Sequence, residues 1–292
     1  MNSLNEIQKR KINTRLYPIY KTISWDLLFY YSIIYLFLTQ TKNFSPSQVL
    51  LGEAFFTASC LAVQIPVGIL VNKFGKRNSL VFGNICLTIF TIILLFSKSF
   101  AQVLIAFFLD ALGYVIKGVC ETNILYDSLP SGKKRGSLYA MIDGTAISRY
   151  YIIDAVTSLI AGFAYVLNPY IPIVLCLIAN IISTYLSTKF KSLKTTQKEE
   201  KNNTIKIYYQ DFKESLKFVI NSKRILFLLI YFGLILGLIY NLTTFRSGVL
   251  KQINIPEQYF GVIFALGQIF AAICANINKK IHKRFRSFRE NV

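Results

Sequence analysis

Eight apolar runs, most near or above the ~20 residues a helix needs to cross a bilayer, dominate this chain. They cover roughly Tyr20–Gln40, Gln48–Val71, Ser79–Ser97, Ala101–Leu125, Leu138–Leu167, Ile171–Thr188, Ile225–Leu242 and Tyr259–Ile277. The predicted fold class is therefore all-α, a polytopic helical membrane protein. Only 16% of the residues are charged, against roughly 25% in a soluble domain.

The net charge of +19 would point to nucleic acid on a soluble protein. Its distribution points elsewhere. Taking the segments between runs alternately, 27 Lys and Arg fall on one side and 4 on the other. The rich side holds the N-terminal segment, the Lys73–Arg77 and Lys133–Arg135 turns, the loop after run six and the tail from Lys279. Cytoplasmic loops carry such an excess, so both termini are predicted in the cytoplasm. Nucleic-acid binding is set aside, and the lipid bilayer is the first partner.

The five cysteines lie inside apolar runs without C-x-x-C spacing, and read as small buried hydrophobes. The single histidine, His282, is in the basic tail. No metal site, no cofactor and no enzymatic motif is predicted, and no phosphate-binding glycine loop occurs. The N-terminus is too long and polar to read as a cleaved signal peptide.

Residues 190–224 are the one long connection. Ile205, Tyr208, Phe212, Leu216 and Val219 recur at helical spacing there, which predicts an amphipathic helix on the membrane surface after a flexible linker. Six runs precede this loop and two follow. Those two echo the first ones: Pro46-Ser-Gln48 and Pro256-Glu-Gln258 each open an apolar run that ends in Asn-Lys and further cations. Parallel repeats with substrate held between halves are one transporter architecture.

The turn after run two reads Gly68-x-x-x-Asn72-Lys73-x-Gly75-Lys76-Arg77. It resembles the signature between helices two and three of the major facilitator superfamily, departing from it at Asn72, where the family usually has Asp. The resemblance implies a six-helix N-terminal bundle (1–189), a cytoplasmic linker (190–224) and the first two helices of a second bundle with a basic tail (225–292). Such proteins usually have twelve spans, and a chain truncated after about eight is expected. The resemblance implies a secondary transporter moving a small molecule by alternating access, coupled to protons, with efflux as one direction. A truncated non-transporting remnant or a membrane interaction protein is the alternative. Gly68, Asn72, Lys73, Gly75, Lys76, Arg77 and Asp127 would form the gating turn, with Asp127 meeting Lys76 or Arg77. A plasma-membrane location follows, and the Lys-, Asn- and Ile-rich composition hints at a bacterium.

Ionisable residues inside membrane spans mark function, because burying charge in hydrocarbon is costly. In run four, Asp110, Tyr114, Lys117 and Glu121 share one helical face, and Lys117 can pair with Glu121. In run five, Asp143 and Asp154 share a face and Arg149 points to another side. These seven residues are the predicted substrate and proton pathway. Asp26 and Glu53 lie near span ends, where water makes a structural role more natural. Gly233-x-x-x-Gly237 is a candidate close-packing face.

Overall fold

The computed structural model describes residues 5–132, 134–193 and 217–271, with 210, 213, 214, 273, 274 and 277 besides. Most of the predicted amphipathic stripe, the Asn278-Lys279 end of the repeat, Lys133 and the basic tail lie outside the described residues.

The elements run α1 (Glu6–Ser24), α2 (Ile34–Leu36), a π-helix (Phe37–Thr41), α3 (Pro46–Phe74), α4 (Lys76–Phe96), α5 (Phe100–Ser128), α6 (Arg135–Leu167), α7 (Tyr170–Lys189), α8 (Lys223–Gln252), a 3₁₀ turn (Glu257–Tyr259) and α9 (Phe260–Ala271). No strand is present among the described residues. Among the described residues five helices, α3 to α7, are long and apolar enough to cross a membrane.

Local chemistry sets the ends. Ser45 accepts a hydrogen bond from the Gln48 amide, the Gln48 side chain returns to the Ser45 amide, and Pro46 opens α3; this is a reciprocal cap with proline where its missing N–H costs nothing. Ser99 and Gln102 start α5 in the same way. Gly75 sits at φ 82° between α3 and α4, a conformation that glycine adopts without a Cβ clash. It lets the chain reverse within one residue.

Two glycines bring α4 against α5. A Cβ on Gly113 would lie 2.7 Å from the Gly83 carbonyl oxygen. Small residues give such close backbone approach in a bilayer, where packing rather than water drives association. Gly233 and Gly237 do not act this way: a Cβ at either would meet nothing within 4 Å. Run-seven periodicity alone cannot say which face a neighbour takes.

The first crossing differs from the prediction of one helix over Tyr20–Gln40. It starts at Glu6, stops at Ser24, and resumes at Ile34. Phe29 is in the left-handed region at φ 64°, which costs a non-glycine residue about 1–2 kcal/mol. The Asp26 carboxylate accepts from the Leu27 amide and from the Tyr31 hydroxyl, both at 2.9 Å, so side-chain bonds replace part of the lost ladder. Asn13, Tyr17, Tyr20, Lys21 and Ser24 form the buried stripe of α1. Lys21 is thus an interior residue and leaves the loop tally.

α8 also runs past its predicted end at Leu242, to Gln252. Arg246, counted as an outer-loop cation, is inside this helix. The outer end of α8 packs on α2, where the Tyr35 ring fills the space beside Gly248. A Cβ on Gly261 of α9 would lie 2.5 Å from the Ser158 carbonyl oxygen of α6. Gln40 donates to Glu257 at 2.7 Å and accepts from Tyr165 at 3.1 Å. The two C-terminal helices therefore meet the first six at the end away from the basic turns, while Phe227, Leu229 and Phe232 near the other end of α8 are exposed.

Candidate functional site

The apolar core falls into two main clusters. One, toward the outer end, joins Leu27, Phe37, Phe90, Phe107, Tyr165 and Phe260. The other, toward the basic turns, joins Tyr17, Val67, Leu80, Ile116, Cys120 and Leu125. On α5 the boundary between them falls beside Asp110, and on α6 Asp154 lies between the segments that join them. Both carboxylates sit near the midpoints of their helices, and the break in the first crossing reaches the same depth.

Four residues of the sequence pathway converge on this layer. Lys117 is buried and donates to the Ser24 carbonyl, the last residue of α1. Glu121 is buried too, but its ion-pair partner is Lys21 of α1. The predicted Lys117–Glu121 pair is therefore corrected. Helical spacing permits it, yet α1 ends between the two side chains and offers each a better partner. Asp110 is half-buried and feels Asp26, Glu53 and Lys117. Asp154 is 5% exposed, its backbone carbonyl accepts from the Thr157 hydroxyl, and its carboxylate feels Asp26 and Arg246.

The remaining three lie apart. Tyr114 is 52% exposed and packs edge-on against Phe56 of α3 at 6.1 Å. Asp143 accepts a 2.6 Å hydrogen bond from Tyr17, nearer the basic turns. Arg149 is exposed and takes no part in the interior cluster.

Sequence reasoning set Asp26 aside as structural and missed Lys21 and Arg246. Asp26 occupies the helix break and acts on Asp110, Lys117 and Asp154 at once. A signal was present: an acid beside Trp25, followed by Phe, Tyr and Tyr, all poor helix formers. Irregular backbone is tolerated at membrane depth where it is buried in protein or lines a cavity. Lys21 and Arg246 were hidden because a cation near the end of an apolar run reads as a loop residue.

The gating turn lies below this layer. Lys76 pairs with Asp127, and Arg135 approaches the same carboxylate at 3.8 Å while its guanidinium lies over the Tyr126 ring at 4.0 Å. Arg77 instead donates to the Thr188 carbonyl at the end of α7, 2.8 Å away. Lys73 leans on Phe74; Asn72 is exposed and Gly68 half-buried. The turn thus ties α4 to α5 and α7. No cluster of three or more potential metal ligands occurs among the described residues.

A bundle of apolar helices with a charged layer at mid-depth and a cationic turn at one end defines a multi-pass membrane protein. The chain matches the Major Facilitator Superfamily over residues 22–291 and belongs to it. It is also similar to YxaM of Bacillus subtilis (strain 168), named as an uncharacterized MFS-type transporter, at 24% identity over 261 residues. That similarity covers 87% of this chain and 63% of the relative, so the chain spans less than two thirds of its length.

Proposed function

We propose that this chain carries a small solute across the bacterial plasma membrane by alternating access, driven by protons, with both termini in the cytoplasm. The observation that carries this reading is the interrupted first crossing, with Asp26 at its break facing Asp110, Lys117 and Asp154 at mid-depth. Discontinuous helices near the midplane are where transporters of several folds hold substrate and coupling ions. Carboxylates that share one low-dielectric space cannot all ionise cheaply, so one of them is a natural proton carrier. Asp26 and Asp110 take that role, with Lys117 as the cation that a carboxylate meets when it gives up its proton.

The Lys76–Asp127 contact acts as a latch on the cytoplasmic side, loosening and re-forming with the cycle. The outer contacts at Gln40, Glu257 and Tyr165 match a form closed to the outside. Direction, export or import, follows from the sign of the proton flux.

The test is proton movement in proteoliposomes loaded with a pH-sensitive dye, under imposed solute gradients. Solute-dependent proton flux that disappears in Asp26→Asn and Asp110→Asn is the expected result. Flux that is unchanged in both variants would remove these carboxylates from the mechanism. No solute-dependent flux from any gradient would favour a non-transporting interaction protein, a reading that the exposed Arg149 and Tyr114 also support.

A further inference from the structure

Three of the five buried side-chain atoms without a hydrogen-bond partner among the described residues are Ser32 Oγ, Arg246 Nε and Ser247 Oγ. Arg246 and Ser247 are neighbours on the stretch of α8 that packs on α2. Ser32 lies three residues before Tyr35, whose ring packs on Gly248 of that stretch. Native interiors leave few such atoms unpaired, and two of them on consecutive residues at a contact between the first six helices and the last two are informative.

The guanidinium of Arg246 lies flat on Phe264 of α9, 3.4 Å from the ring centroid. One of its terminal nitrogens is 3.7 Å from where a Cβ on Gly267 would stand, so α9 leaves it room. No carboxylate among the described residues comes within ion-pair distance of it. Asp154 attracts it without reaching it. Phe245 and Tyr35 stand edge to face at 5.6 Å beside it. The site lies just inside the outer contacts formed by Gln40, Glu257 and Tyr165.

An unpaired guanidinium within a membrane is costly, and such residues serve a ligand or a pathway. Arginine has five donors and no acceptor, and its planar fork matches a carboxylate with two parallel hydrogen bonds. The surrounding rings suit an apolar body.

We propose that Arg246 binds the carboxylate of an aromatic or apolar organic anion, whose apolar body rests against Phe245 and Tyr35. This deepens the transport reading by naming its substrate class.

Three probes of one shape separate the alternatives: benzoate, benzamide and benzylammonium, measured by calorimetry on the full chain in detergent at pH 7. Benzoate binds, and the other two bind at least tenfold more weakly. Arg246→Gln weakens benzoate at least tenfold, and Arg246→Lys, which keeps the charge but loses the fork, weakens it less. Asp154→Asn tightens it, because the competing attraction is gone. Equal or tighter binding of benzylammonium, no benzoate heat in the native chain, or unchanged benzoate affinity in Arg246→Gln would overturn the proposal. Should Arg246→Gln fail to fold, Arg246→Lys and the neutral probe still decide it. Benzoate binding without solute-dependent proton flux would leave this site standing and remove the transport reading. Flux with another solute and no benzoate binding would do the reverse.

Discussion

Two Lys–carboxylate pairs bind α5 to other helices, and they differ in almost nothing but surroundings. Lys21–Glu121 is sealed inside, with side chains 5% and 1% exposed; Lys76–Asp127 is at the rim by the basic turns, at 28% and 34%. Water screens the second pair and lets it exchange partners, as Arg135 beside the same carboxylate illustrates. The first has no such freedom, since parting two charges in a dry interior leaves each uncompensated. The buried pair therefore fixes where α1 ends, and the rim pair suits a latch that must open. Chemistry is shared; burial assigns the role.

The largest effect should come from breaking the buried pair. Glu121→Ala leaves Lys21 alone in the interior and should cost ~3–5 kcal/mol of stability. The midpoint of thermal unfolding, followed with a thiol-reactive dye on the buried Cys86, Cys120 and Cys176, reads it. Replacing both partners, Lys21→Leu with Glu121→Leu, should recover most of the loss. A double variant as unstable as the single one would mean that the site, not the pair, is what matters.

A purely steric change gives the comparison a scale. Gly113→Ala forces a methyl onto the Gly83 carbonyl, and overpacking of this kind costs about 1–3 kcal/mol. It should fall between the two ion-pair variants in the same unfolding assay. A Gly113→Ala protein as stable as wild type would show that α4 and α5 can part freely.

Asp127→Asn removes the rim pair and should cost no more than ~1 kcal/mol, while changing the rate of solute-dependent proton flux. A loss as large as that of Glu121→Ala would break the contrast between rim and interior. The smallest effect is ionic. Raising salt from about 0.01 to 1 M shortens the screening length from about 30 to 3 Å. The difference between wild type and Asp127→Asn should shrink by a few tenths of a kcal/mol, while that for Glu121→Ala stays. Unfolding midpoints of the three proteins at both salts decide it.

Much of the architecture is legible in the sequence. Five of the eight apolar runs coincide with α3 to α7, because a bilayer demands long apolar helices and leaves a hydropathy signal that neighbours cannot erase. Ser45-Pro46-x-Gln48 and Gly75 mark where α3 starts and stops, through bonds made within a few residues. The first crossing is not legible: its break depends on Asp26 finding Tyr31 and on Lys117 capping the end of α1. Arg246 was misplaced for a related reason, since a charge in sequence looks like a loop until Phe264 covers it.

The sequence by itself determined the class of fold and the chemistry of the basic turn, both set by local composition and solvent. Only the tertiary structure decided which charges meet. Lys21 and Glu121 are 100 residues apart, and Lys117 and Ser24 are 93. One helical face carries Asp110, Lys117 and Glu121, but it is the end of α1, wedged between the last two, that gives each a separate partner. Partner choice in a dry interior depends on which polar group another helix delivers, and no spacing along one helix can state that.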